Sequence, residues 1–177
     1  MEQQVNPWKA NLNNGLILGL TGIVYSLVMY FLDLFLNNIQ GYVFLLIQIV
    51  VLYFLVKMYR DNFMHGMITF GQALGDGVII CMYYSIIIAI FTYILYAFID
   101  TNLVDKMLAM TEERLLDRGL SQSQIDAGMS VQSKIMKPGF IAPMSIFGNM
   151  FGGLIMSLIV AAFVRSEGNP LIDTPEN

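Results

Sequence analysis

The sequence predicts an all-α fold: an integral membrane four-helix bundle with an extramembrane αα-hairpin between spans three and four. Three observations carry this. Hydrophobic residues make up 56% of the 177 residues and charged residues only 12%, about half the charge density of a soluble chain. The apolar residues gather in four blocks, 15–36, 41–59, 77–99 and 140–164, each close to the roughly 20 residues a helix needs to cross a bilayer. Of the 9 basic and 13 acidic residues, only Asp33 and Lys57 lie inside those blocks. The charge is thus confined to the connections, where its density is that of a soluble protein.

Residues 1–14 form a polar N-terminal tail, with Asn6-Pro7 and the asparagines between 11 and 14 as turn formers. The first block is too long for a cleaved signal peptide and lacks a small-residue cleavage site, so it is expected to stay as an anchor. Within it Gly15, Gly19, Gly22 and Ser26 recur at steps of four, three and four. They share one helical stripe, the small-residue pattern that lets membrane helices approach closely. Asp33 is expected as an interfacial carboxylate near the end of the span.

The connection 37–40 is four residues long, which makes spans one and two antiparallel neighbours. Span two ends on Tyr53, Lys57, Tyr59 and Arg60, an aromatic and basic anchor at the interface. Its one mid-membrane polar group is Gln48, and the candidate partner is Asn149 of span four. The two spans run the same way, and both amides lie about 10–14 Å from the start of their span at 1.5 Å per residue. An interhelical bond is the first reading of the pair, and a substrate contact or no contact are the others.

Span three is expected to begin before its apolar block, because Thr69-Phe70-Gly71-Gln72 spells a capping box. A helix from about 70 to 99 would run some 45 Å, against about 30 Å of hydrocarbon. Its first turns, with Gly71, Gly75, Asp76 and Gly77, are therefore expected near the headgroups. Cys81, Ser85, Ala89 and Thr92 form a small-residue stripe, and Cys81, a thiol without a basic neighbour, reads as packing. In span four Gly148 and Gly152 make one close-approach pair, and Gly153, Ser157 and Ala161 a second on an adjacent stripe. Two such faces suggest a helix packed on more than one side.

Residues 15–99 thus hold three spans, 140–164 the fourth, and 165–177 a polar C-terminal tail. Residues 100–139 exceed an ordinary loop. Apolar positions 103, 104, 107, 108, 115 and 116 define an amphipathic helix ended by Gly119. Ser121-Gln122-Ser123-Gln124 is a second capping box opening a helix that stops before Pro138. The apolar face of this hairpin includes Met107, Met110, Met129 and Met136; a partner groove is one use of it, and mutual packing or rest on the bilayer is another.

Chemistry is sparse. His65 and Cys81 are the only histidine and cysteine and lie at different depths, so neither a metal site nor a disulfide is expected. No nucleophile elbow, zinc-protease motif or P-loop occurs, and no cofactor is implied. The formal charge of −4 without a basic cluster excludes nucleic acid as a partner. The densest polar group is Arg60, Asp61 and His65, with Asp76 beyond them, an interfacial cluster with a local ion pair.

The stretches YRDNFMHGMITFGQAL at 59–74 and FTYILYAFID at 91–100, with the opening GLILGLTGIVYSL and the closing GGLIMSLIVA, resemble a family of four-span bacterial membrane proteins, domain of unknown function 4199. The resemblance covers about residues 9–165. It implies an inner-membrane protein and carries no activity, ligand or catalytic residue. Where related sequences often follow the Ile-Asp pair with proline, this chain has Thr101, which leaves helix three freer to continue into the hairpin.

Three functions follow as expectations. The first is a non-enzymatic protein acting by helix association and by hairpin contact with a partner, in the lipid bilayer, as a homo-oligomer or with another membrane protein. The second is a small oligomeric transporter or channel, and the third an intramembrane enzyme using Asp76 or Asp100. Lys9, Lys57, Arg60 and Arg165 lie on the side of the termini, and the first loop carries no charge, which predicts both termini in the cytoplasm. Reporter fusions at the C-terminus and within the hairpin should report cytoplasmic and external locations respectively; an external C-terminus would overturn the orientation.

Overall fold

In a computed structural model the described residues are 6–166, so most of the C-terminal tail 165–177 lies outside them. Seven α-helices occur among the described residues: α1 Pro7–Ala10, α2 Leu12–Phe31, α3 Asn38–Phe63, α4 Phe70–Ile94, α5 Leu103–Asp117, α6 Gln122–Ile135 and α7 Pro138–Val164. A π-helical turn, Leu95–Ile99, extends α4. α2, α3, α4 with its π turn, and α7 are the helices long and apolar enough to cross a membrane, and no more than 33% of any of their apolar windows is buried. The remaining apolar surface faces outward, with Phe31, Tyr42, Phe98 and Phe163 among the most exposed side chains. Only a hydrocarbon solvent makes that distribution stable. The chain is an all-α membrane protein.

Local chemistry sets the helix ends. The polar tail is helical from Pro7, whose fixed φ suits a first helical position, with Asn6 accepting from the Trp8 amide at 3.0 Å. α2 stops at Phe31, five residues short of the apolar block, because Asp33 is left-handed at φ 55°. The Leu34 amide then donates to the Met29 carbonyl and the Asp33 amide to that of Tyr30, the Schellman closure with aspartate where glycine is usual. Asp33 therefore sits in an exposed turn after the helix. The capping box of α4 forms as spelled: the Gln72 amide nitrogen donates to the Thr69 hydroxyl at 3.3 Å, and the Thr69 backbone N–H to Gln72 Oε1 at 3.0 Å. The box at Ser121 forms likewise. α4 does not run on into the hairpin despite Thr101. The π turn and the extended Asp100, at φ −135° and ψ 87°, break it, and α5 starts afresh at Leu103.

The chain divides into two compact units, one of Met1–Ser85 with Asn149–Asn177, the other of Ile86–Gly148. In the second unit α5 and α6 form the expected hairpin, turning at Gly119 with φ 72° and touching where Leu115 lies 3.7 Å from the Cβ position of Gly128. Leu103 and Ile125 are its buried residues, and the four methionines are half-buried.

In the first unit α4 is the shared partner. A Cβ on Gly15 of α2 would fall onto Tyr83 of α4, and one on Gly153 of α7 would stand 2.5 Å from Cys81 Cβ. A Cβ on Gly77 of α4 would lie 2.7 Å from Ser157 Oγ. Only glycine permits these approaches. Gly19 and Gly22 are buried on the same stripe of α2 as Gly15, whereas Ser26 is half-buried. The two glycine faces of α7 differ: Gly153, Ser157 and Ala161 are buried, but Gly148 and Gly152 have nothing within 4 Å of a Cβ. Of the two close-approach faces expected on this helix, the 148/152 pair is not filled by the described residues. α2 and α3 are joined by a Tyr25–Phe44 stack at 4.7 Å and by the Tyr25 hydroxyl donating to the Gln40 carbonyl at 2.8 Å.

Gly153→Ala should lower the stability of the detergent-solubilised protein by about 1–3 kcal/mol, the range for overpacking a filled interior. Gly152→Ala should change it by no more than about 0.5 kcal/mol, as at an unconstrained site. Thermal unfolding of the two variants side by side checks the contrast.

Candidate functional site

Asp76 is the residue the structure moves furthest from expectation. It lies two turns into α4, about 9 Å along the axis from Phe70, and is 3% exposed. The close contact of α2 with α4 at Gly15 carries the turn before Gly15 against this carboxylate. Asn11, fully buried, leaves the N-terminus of α2 without a side-chain cap and donates from Nδ2 to Asp76 Oδ1. Asn14, one helical turn on, donates from Nδ2 to Asn11 Oδ1 at 2.8 Å. The result is a buried Asn14–Asn11–Asp76 relay. Its last atom, Asp76 Oδ2, meets no hydrogen-bond donor among the described residues.

The interfacial cluster expected around Arg60 is thereby divided. Arg60 pairs with its neighbour Asp61, Nε to Oδ1 at 2.8 Å. Its Nη1 donates to the Val164 carbonyl at 3.1 Å, placing a cation on the end of α7, where the orphan carbonyls and the helix dipole favour one. Ile68 and Ser166 close the same end by a two-bond bridge of 2.9 and 3.0 Å. His65 is exposed on the left-handed turn after α3, at φ 52°. Asp76 belongs to the buried relay and not to this end clasp.

The Gln48–Asn149 pair also differs from expectation. Gln48 is 6% exposed, and its Nε2 meets no partner among the described residues. Asn149 is half-buried and does not satisfy it. Cys81 packs on Ser157, Sγ to Oγ at 4.0 Å. Ala73, Asp76, Gly77, Ile80, Cys81, Tyr84 and Ser85 form one continuous buried stripe of α4. The polar groups of this unit accordingly lie along the inner face of α4, at two depths separated by Ile80.

Asn11 and Asn14 escape a reading that begins the first span at Gly15. Their signal is helical spacing: Asn11 stands four residues before Gly15 and Asn14 four before Leu18, which continues the buried stripe backward. Among the described residues no group of three or more His, Cys, Asp or Glu could hold a metal ion.

Asn11→Ala removes the one hydrogen-bond donor to Asp76 among the described residues and should cost about 2–4 kcal/mol, a lost bond to a charged group plus its desolvation. In a double-mutant cycle with Asp76→Ala, the pair should show a coupling above about 1 kcal/mol. Additive single-mutant losses in denaturant unfolding would contradict the relay.

A family model described as a protein of unknown function, DUF4199, matches residues 13–166. No curated protein and no solved structure matches the chain.

Proposed function

Because the chain belongs to the DUF4199 family, whose function is unknown, its role has to be argued from its own geometry, and we propose that it is a non-enzymatic membrane protein acting by association. The observation that carries this is the unequal use of α7. One glycine face is filled by α4, while the Gly148 and Gly152 positions face open space, flanked by Phe147 and Phe151, each 69% exposed. A glycine notch beside aromatic ridges is the shape that receives another membrane helix, either a second copy of this chain or another membrane protein.

The hairpin supplies the other contact. Its methionines are half-buried, while Leu116, Val131 and Ile135 remain exposed, apolar groups available to a partner beside the membrane. The placement of Lys57 and Arg60 at the end of α3 and of Arg165 after α7 supports both termini in the cytoplasm, and the family resemblance implies a bacterial inner membrane. A second reading, a small oligomeric transporter or channel, is favoured by Asp76 Oδ2 and Gln48 Nε2, interior polar atoms without partners.

Photo-crosslinkers placed at 148 and 152 in native membranes should give a discrete protein adduct, absent when the crosslinker replaces the equally outward Phe163. Gly152→Leu should reduce the associated fraction by at least about tenfold, the equivalent of 1.4 kcal/mol. A second adduct lost on deleting 103–136 would identify the hairpin partner. Adducts with lipid alone at both glycines would overturn the association reading.

A further inference from the structure

We propose that Asp76, together with the amides of Asn11 and Asn14, is a binding site for a small monovalent cation, for which sodium is the test ion. This goes beyond the association reading and does not depend on it.

The starting point is charge. Asp76 is nearly fully buried, and no ion pair reaches it among the described residues. Arg60, the basic residue closest to it in sequence, is engaged by Asp61 and the Val164 carbonyl, and Lys9 is exposed. Its hydrogen-bond partner is neutral, the Asn11 amide, with the Asn14 amide behind it. Neutral donors stabilise a carboxylate but leave its formal charge uncompensated.

The second observation is the direction of the relay. Asn14 donates to Asn11 and Asn11 donates to Asp76 Oδ1, so both amides are oriented to support a carboxylate that accepts. Oδ2 is left as a buried acceptor with nothing donating to it, and buried acceptors in native proteins are satisfied by some partner. A proton on Oδ2 would cancel the charge but create an O–H that needs an acceptor of its own. A cation cancels the charge and uses the lone pairs as they stand. The open acceptor selects its class: a carboxylate oxygen suits a hard ion. A single carboxylate, with no group of three or more His, Cys, Asp or Glu among the described residues, matches one positive charge and not two.

The test is equilibrium binding of radiolabelled sodium to the full-length protein in lipid nanodiscs, at ionic strength held constant with choline. The wild type should bind sodium saturably, displaced by lithium and not by choline. Asp76→Asn should weaken binding by at least about tenfold. Asn11→Ala should weaken it less, and Asp33→Asn, at an exposed turn, should leave it unchanged. A measurement on the wild type covers the case in which Asp76→Asn does not fold: its melting temperature should rise with the logarithm of sodium concentration above the dissociation constant, as ligand linkage requires. Absence of saturable sodium binding by the wild type, equal binding by folded Asp76→Asn, or stabilisation that follows pH and ignores sodium would each overturn the proposal.

Discussion

The close approach of α4 to two other helices is the constraint on which the rest of the first unit depends. Hydrocarbon gives helices no hydrophobic reason to associate, so packing depth has to supply the attraction. Here depth comes from glycine at three contacts, Gly15 on Tyr83, Gly77 on Ser157 and Gly153 on Cys81. With so little of each span buried, these contacts add to the Tyr25–Phe44 stack that joins α2 to α3. A bulkier residue at any of them would separate a pair of backbones along a full turn or more.

The same approach creates the polar interior. Asn11 can reach Asp76 because Gly15, one turn later, has no side chain to hold α2 away from α4. The Trp8 ring against Tyr83 at 6.3 Å, and the Tyr83 hydroxyl donating to the Trp8 carbonyl at 3.1 Å, secure the turn before it. A buried carboxylate is therefore a consequence of a packing choice, and the amides beside it are the compensation nearest to hand. Further along the same buried stripe of α4, the close approach of α7 leaves Cys81 and Ser157 in contact, Sγ to Oγ at 4.0 Å.

What the sequence made legible was whatever depends on neighbours along the chain. The number of spans, the capping boxes at Thr69 and Ser121, the turn at Gly119 and the hairpin follow from local spacing, and the structure forms them where they are spelled. Azimuth and tertiary depth were not legible. Matching Gln48 with Asn149 used distance along the axis alone, and rotation about the axis leaves Gln48 Nε2 without a partner among the described residues. Asn11 and Asn14 have the composition of a loop, and only contact with α4 shows them to be interior. Asp33 looked like part of a helix because its neighbours are apolar, but backbone closure, which hydropathy does not record, ends the helix before it.

Arg60 and Asp76 illustrate how such a fold separates charges that sequence distance would pair. The guanidinium has two claims on it, the Asp61 carboxylate beside it and the open carbonyls at the end of α7. The second anchors the last span to α3 where the chain leaves the helix, reinforced by the Ile68–Ser166 bridge. Moving Arg60 inward to Asp76 would release that end and bury a second ion, a desolvation that attraction between the two charges often fails to recover. Amides are the cheaper answer, because they donate to the carboxylate without a desolvated charge of their own. Their limit is that they cannot neutralise it, so the fold that keeps Arg60 at its end clasp leaves Asp76 dependent on something other than a basic side chain.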